Sequence, residues 1–244
     1  MNYNWNWTIY WAPSPEGNGT YFDMLLTGLQ WTIVTALASW VIAFCLGVLV
    51  GVLRTLPNRW AKLFGECYVE LFRNIPLLVQ MFLWYFVLPE LLPASAGTWL
   101  KQLPNAPFYT ATICLGLYTS ARVAVQVQAG VEALSRGQRM AGLAIGLTLP
   151  QTYRYVLLPM ALRIVVPPLT SEFLNNLKNT SVGLTIGLLE LTSRTRTMQE
   201  YSFQVFEAFT AATILYLLLN MCVVWVSRRI EARVAVPGLI SVKK

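Results

Sequence analysis

The side chains in this sequence with chemistry to offer are cations and carboxamides set inside stretches that are otherwise apolar. Arg122 sits within the apolar run Phe108–Val127, and Lys178, with Asn175, Asn176 and Asn179, interrupts the run Leu162–Leu191. A cation near the centre of a bilayer costs about 2.5–3.5 kcal/mol on insertion scales, so each needs a use. Arg122 has two readings. It is a cation facing a polar pathway, where it meets a carboxylate of a passing solute, or it is structural, paired with Glu70, Glu172 or Glu190 or snorkelling to an interface. Lys178 and Asn175 either line a water-filled path or hold helices together, because polar groups at that depth must face protein or water. Glu172 lies too far along one straight helix to pair with Lys178. Gln80, one turn beyond Pro76, stands between lining a cavity and gluing helices. Glu70 and Arg73 suit a pair on one helix face. Pro167-Pro168 kinks the helix that carries it, with a hinge as the alternative.

Bond-making groups are missing. The 244 residues include no histidine, which removes His-based catalysis and His-ligated metals. The cysteines Cys45, Cys67, Cys114 and Cys222 are isolated, without CxxC or zinc spacing, and read as free apolar residues. There is no G-x-x-x-x-G-K-[ST] to cradle ATP, no HExxH, no nucleophile elbow and no carboxylate cluster. No catalytic residue, metal or cofactor is expected in this chain, and energy for uphill movement has to come from another subunit. The net charge of +7 is dispersed, with no basic run among aromatics, so nucleic acid is not an expected partner.

The elements around these residues are membrane elements. Hydrophobic residues make up 56% of the chain and charged ones 12%, which suits a lipid bilayer better than a soluble globule, and nine Trp and eleven Tyr suit interfacial belts. A bilayer core needs about 20 apolar residues per helix. Five segments qualify: Met24–Leu53, Pro76–Leu92, Phe108–Val127, Leu162–Leu191 and Phe206–Ser227, with the periodic stretch Arg59–Phe72 leading into the second. Arg54, Arg59, Lys62 and Arg73 follow the first span. Arg136, Arg139, Arg154 and Arg163 occupy the central loop, and Arg228, Arg229, Arg233, Lys243 and Lys244 the tail. The opposite loops hold only Lys101, Arg194 and Arg196. Basic loops stay inside, which predicts an outside N-terminus, an inside C-terminus and the odd span count that goes with them. The start has neither a basic n-region nor an apolar h-region, so no cleaved signal peptide is expected. The expected organisation is an external segment 1–23, one transmembrane domain 24–228 and an internal tail 229–244.

The central loop, 137–159, is too polar to span and too patterned to be slack. A small-residue stretch, Met140-Ala141-Gly142, precedes Gly146 and then Thr148-Leu149-Pro150-Gln151. Thr148 and Gln151 have the spacing of a capping box, and Pro150 falls in the first turn, where its missing N–H costs nothing. Tyr153 and Tyr155 follow as aromatic anchors for a docking partner, and Pro159 is expected to stop the helix. A short helix, a glycine and a second short helix between spans form a shape that docks into another protein.

That loop resembles the signature of ABC importer permeases, in which Glu-Ala-Ala is followed by a glycine and then an Ile-x-Leu-Pro-like end. Met140-Ala141-Gly142, Gly146 and Val156-Leu157-Leu158-Pro159 stand at those places. Tyr68 to Gln80, Val166-Pro167-Pro168-Leu169 and Lys178-Asn179-Thr180-Ser181 resemble the polar amino acid importer permeases more closely still. The Asn4–Trp7 start, Arg73-Asn74, the run Trp84 to Pro93, and Ala121-Arg122-Val123 are most similar to the members that import glutamate and aspartate. The resemblance spans about residues 20–230. It implies an all-α integral membrane protein of five transmembrane helices with the type I ABC importer permease fold, in the bacterial inner membrane. It also implies alternating access, a cytoplasmic ABC ATPase dimer that binds the ATP, a second permease subunit of a different chain, and a periplasmic amino acid-binding protein. Ala141, Gly142, Gly146, Tyr153, Tyr155 and Pro159 would then couple to the ATPase, with Gln80, Arg122, Asn175 and Lys178 as pathway candidates. Val125, Gln128 and Met140 depart from the family pattern, which often has an acid, an arginine and a glutamate there. The alternatives are a glutamine, arginine or histidine permease, an ATP-independent carrier, or a membrane-embedded transferase. The carrier would show an inverted repeat and the transferase a carboxylate or histidine cluster.

Overall fold

The computed structural model describes residues 3–17 and 19–234. The tail beyond Val234, with Lys243 and Lys244, lies outside the described residues. Helix α1 (Tyr21–Thr55) opens on a reciprocal cap. The Thr20 N–H donates to Asp23 Oδ2 at 2.8 Å and the Asp23 N–H to Thr20 Oγ1 at 3.3 Å, satisfying two first-turn donors. Asn58 caps α2 (Arg59–Asn74) by accepting from the Trp60 and Ala61 N–H groups at 2.8 and 3.3 Å. Ile75 is extended, at φ −93° and ψ 127°, because the proline after it disfavours helical backbone. Helix α2 therefore does not run straight into α3 (Leu77–Leu91), and the two count as one span only if that break is a bend within it. Helices α4 (Ala94–Gln102), α5 (Ala106–Glu132), α6 (Arg136–Ala144), α7 (Leu149–Ile186), α8 (Leu191–Ser202) and α9 (Val205–Val234) complete the order. Among the described residues the only β pairing is an isolated bridge between Pro13 and Thr20.

Among the described residues three helices, α1, α7 and α9, are long and apolar enough to cross a membrane, and the α2–α3 pair makes a fourth if counted together. The boundaries of α7 differ from the sequence expectation at both ends. Its last turns, Thr180–Ile186, tighten into a 3-10 helix, and Gly187 at φ +87° then reverses the chain. The apolar run to Leu191 is thus split between two helices. At the other end Pro159 does not stop a helix. The path runs from the turn Leu149–Thr152 through a π turn, Tyr153–Leu157, directly into Leu158–Asn179. The Leu158 N–H bonds to Tyr153 O, five residues back. Widening the turn relieves the clash a proline ring makes with the carbonyl four residues earlier. The same device recurs in α3, where the Leu88 N–H bonds to Leu83 O just before Pro89. Pro167 and Pro168 lie inside the helix, which continues through them.

Contacts among the described residues form two compact units, each discontinuous in sequence; the first takes in 76–115 and 175–222 with the chain up to 39, and the second 40–75 and 116–174 with the described chain from 223 on. The first has its core at Tyr21, Met24, Leu25, Leu191, Met198 and Ala208. Buried Glu190 caps α8, accepting from the Thr192 and Ser193 N–H groups at 2.9 and 2.8 Å and from the Tyr216 hydroxyl at 2.9 Å. Burial pushes the pKa of Arg194 down, and its guanidinium pairs with Glu16. The buried carboxylate of Glu207, in the first turn of α9, is held by the Tyr3 hydroxyl and by the Asn6 N–H at 2.7 Å. The N-terminal segment is thereby strapped to α8 and α9.

Asn176 is buried in the same unit and donates to Ala36 O at 3.0 Å and Ser39 Oγ at 2.9 Å. The carboxamide joins α7 to α1, where hydrocarbon offers no other partner. Asn176→Ala is expected to cost about 1–2 kcal/mol, read as a lower thermal midpoint of the detergent-solubilised complex, whereas Asn176→Gln tests whether reach alone matters.

The second unit packs α1, α5 and α7 at very short range. A Cβ on Gly47 would meet Val123 Cβ at 2.5 Å, and one on Gly51 would meet Val127 Cβ at 2.7 Å. A Cβ on Gly130 of α5 would meet Val165 Cγ1 of α7 at 2.5 Å. These glycines let the backbones approach closely, as small residues do in membrane helix pairs, and the approach fixes the middle of α5.

Candidate functional site

Arg122 projects from that fixed part of α5. One turn earlier on the same face, the Tyr118 hydroxyl accepts from Arg122 Nη2 at 3.0 Å, and the tyrosine ring centroid lies 5.2 Å from the guanidinium carbon. On α7, Glu172 Oε2 stands 3.8 Å from Arg122 Nη1. Of the three structural partners considered for Arg122, Glu172 is the one the fold supplies. The pair is loose, since Glu172 Oε2 is shielded from solvent and accepts no hydrogen bond. The Arg122 side chain is 41% exposed and that of Glu172 12%. A guanidinium carries five N–H donors, and the hydrogen bond to Tyr118 uses one. Arg122 therefore keeps donors and open surface for a second carboxylate while Glu172 balances its charge.

The other pathway candidates take different places. Gln80 is buried on α3, the placement of a carboxamide that holds helices. Asn175 is half-buried, and Lys178, three residues on, is exposed. The asparagine that joins helices is their neighbour Asn176. Asn74 Nδ2 donates to Glu70 Oε2 at 2.7 Å, so Glu70 finds its partner one turn on, at Asn74. Val125 packs against the cluster of Val50, Val69, Ala121 and Ala124, and Gln128 donates to Glu132 Oε1 at 2.7 Å. At these two departures an apolar contact and a carboxamide–carboxylate hydrogen bond stand in place of the acid and the arginine.

The loop 137–159 is α6, a turn at Gly146 and the start of α7. Gly146 has φ +86°. Its N–H bonds to Leu143 O at 3.0 Å and the Leu147 N–H to Gly142 O at 3.1 Å, the paired bonds of a Schellman cap. The capping box forms as its spacing predicts, with Gln151 Oε1 accepting from the Thr148 N–H at 2.8 Å. Gly142 is buried against the start of α7, where a Cβ would meet Thr152 Cγ2 at 2.7 Å. The two short elements are thus locked to each other. Apolar side chains stand out on their surface: Met140 is 70% exposed, Ile145 76% and Tyr155 62%, with Ala141 and Leu143 also open, beside exposed Thr148, Gln151 and Arg154. Of the two tyrosines only Tyr155 stays on the surface. Tyr153 is 5% exposed and its hydroxyl donates to Thr55 O at 2.9 Å, closing the end of α1, so it braces the loop from within. Pro159 follows the π turn within the helix, on an exposed position.

A Cβ on Gly146 would meet nothing within 4 Å, so a substitution there costs backbone strain alone. Gly146→Ala is expected to lose about 1–2 kcal/mol and Gly146→Asn much less, because asparagine tolerates the left-handed region. Thermal midpoints of the two variants check this.

Sequence reasoning missed three features here. Gly47 and Gly51 form a Gly-x-x-x-Gly pair, a spacing readable in the sequence. The Met140, Leu143 and Ile145 surface needed the helix ends to be known, and Tyr118 became part of the site only when its face on α5 was set.

An all-helical chain with membrane-length apolar helices, an accessible guanidinium on α5 and a capped loop between helices has the make-up of a multi-pass membrane protein. The chain belongs to the family of binding-protein-dependent transport system inner membrane components, whose model matches residues 43–236. It is accordingly a multi-pass inner membrane permease. It is 47% identical over 241 residues, covering 98% of each chain, to the glutamate/aspartate import permease protein GltJ of Escherichia coli strain K12. It is 34% identical to the probable glutamine ABC transporter permease protein GlnM of Bacillus subtilis strain 168, over 82% of this chain and 88% of that one. Its fold matches a crystal structure of an amino acid ABC transporter with histidines at a TM-score of 0.73 and 25% identity, over 87% of this chain and 95% of that one.

Proposed function

We propose that this chain is one half of the translocation pathway of an ATP-driven importer of glutamate and aspartate. The observation that carries the reading is the end-to-end likeness to a glutamate/aspartate import permease, 47% identical over 98% of both chains. The open donors of Arg122 support it, because the side-chain carboxylate is what sets acidic amino acids apart. In this reading the chain makes and breaks no bonds. A separate ATPase dimer binds and hydrolyses ATP, and its cleft receives Ile145, Met140 and Tyr155. A second permease subunit, of different sequence, closes the pathway, and a periplasmic binding protein delivers the amino acid. The likeness to a glutamine permease keeps another polar amino acid as the second reading.

The same proposal has five spans, with the N-terminus outside and the C-terminus inside. The distribution of Lys and Arg supports the orientation. Helix α5 supports the fifth span: its 27 residues reach about 40 Å at 1.5 Å per residue, and its polar residues, Arg122 among them, lower its hydropathy.

Uptake of labelled glutamate tests the reading, in cells lacking their own acidic amino acid importers and supplied with this chain and its neighbouring subunits. Dependence on the chain with competition by aspartate alone is the expected result. Competition by glutamine or arginine instead would keep the permease and discard the acidic cargo.

A further inference from the structure

We propose that the second unit carries a binding site for the anionic headgroup of a phospholipid, centred on Arg54. The structure joins two enclosed, unanswered nitrogens of a guanidinium to a cationic cavity beside an amphipathic helix. Arg54 lies in the last turn of α1, and its stem runs across α2 so closely that a Cβ on Gly65 would meet Arg54 Cγ at 2.5 Å. Arg54 Nε and Nη1 are shut off from solvent and donate no hydrogen bond. Enclosed guanidinium N–H groups without an acceptor are unfavourable, so buried donors are normally paired.

Arg54 lines a cavity of about 430 Å³ together with Lys62 of α2, Arg139 of α6 and Glu132 of α5. The volume falls in the range of small-ligand sites, about 300–1,000 Å³. Three cations face one carboxylate there, and Gln128 already donates to that carboxylate at 2.7 Å. Lys62 is held only loosely by Glu66, at 3.7 Å. The lining thus has an excess of positive charge and unused donors, while Leu56 and Leu157 give it an apolar wall.

A phosphodiester answers this arrangement. Its charge is negative, its free oxygens accept from guanidinium N–H groups in a planar fork, and its acyl chains seek apolar surface. The helix that supplies Lys62 argues for a membrane source. Helix α2 exposes Trp60, Leu63 and Phe64 beside Arg59, Lys62 and Glu66, the make-up of a helix lying in the headgroup layer. Basic pockets between membrane helices bind anionic headgroups on the same principle. A zwitterionic lipid suits the site poorly, because its ammonium would sit among three cations. The site does not depend on which amino acid is carried.

The test uses the assembled transporter, equilibrated in micelles holding equal amounts of phosphatidylglycerol and phosphatidylcholine, with retained lipid counted by native mass spectrometry. The wild type is expected to retain phosphatidylglycerol in preference. Each cation near an anionic lipid is worth about a fivefold factor, so Arg54→Gln should lower the enrichment about fivefold. Arg54→Lys should keep most of it, and Lys62→Gln, on the exposed wall, should lower it less. Should Arg54→Gln fail to assemble, Lys62→Gln and the wild-type lipid ratio decide. Equal retention of the two lipids by the wild type overturns the site. Displacement of phosphatidylglycerol by excess inorganic phosphate assigns the cavity to a free anion and overturns the lipid. Unchanged enrichment in Arg54→Gln, with loss of a partner subunit, gives the guanidinium to that partner and overturns it equally.

Discussion

Replacing Arg122 with glutamine is expected to cut glutamate uptake about 10- to 100-fold. The magnitude is that of one hydrogen bond to a charged group, about 1.5–3 kcal/mol, at roughly tenfold per 1.4 kcal/mol. The substitution also leaves Glu172 without the cation 3.8 Å away, and an unpaired buried carboxylate destabilises a fold whatever the cation was for. The double variant Arg122→Gln/Glu172→Gln separates the two effects. It removes both charges and should restore thermal stability toward the wild-type value. If Arg122 acts on cargo, the double variant stays inactive although it is stable. If the arginine only balances Glu172, the double variant recovers uptake, and the pathway role of Arg122 is lost. Arg122→Lys sharpens the reading. Lysine keeps the charge but not the planar fork, so partial uptake is expected, with the Tyr118 hydroxyl losing its guanidinium partner.

The second large effect is expected from Gly47→Leu. The first side-chain carbon alone would lie 2.5 Å from Val123 Cβ and 2.9 Å from the carbonyl oxygen of Ser120. A backbone atom cannot rotate away as a side-chain tip can, so α1 and α5 must separate. Overpacking a core costs about 1–3 kcal/mol and more where backbone moves, against a total stability of about 5–15 kcal/mol. The separation would also displace Arg122, which lies between Ser120 and Val123. The expected outcome is a sharp fall in assembled complex by size-exclusion chromatography, with the remainder transporting poorly. Leu49→Ala, two residues along α1 on an exposed position, should assemble normally. A normal complex from Gly47→Leu would mean that the α1–α5 approach is not required.

Legibility from sequence tracked the range of the forces involved. Local rules worked: the Thr148–Gln151 box, the need for glycine at position 146 and the apolar character of the long helices each depend on neighbours within a turn or two. Local rules also misled at proline. Pro159 carries the pattern of a helix stop, yet the chain resolves the same clash by inserting a π turn, as it does before Pro89. Whether a proline ends a helix or widens it depends on whether the helix beyond has something to pack against, and Ala161 and Val165 do, buried in the second unit. Tyr153 and Tyr155 look equivalent in sequence, but the wider turn helps to set their directions, one into the core against Thr55 and one outward.

The sequence by itself determined the class of this protein: membrane-length apolar runs, no catalytic or nucleotide-binding motif, and a capped loop with a permease signature. Those properties are written in composition and in spacing within a few residues. The tertiary structure alone decided which polar groups in the apolar runs are spent and which remain. Asn176 is consumed by α1, Glu172 becomes the counter-ion of Arg122, and two nitrogens of Arg54 are left enclosed over Gly65 with no acceptor. The physical reason is that a polar group's worth inside a membrane protein is set by the partner across the helix interface, tens of residues away in sequence, and not by the residues beside it.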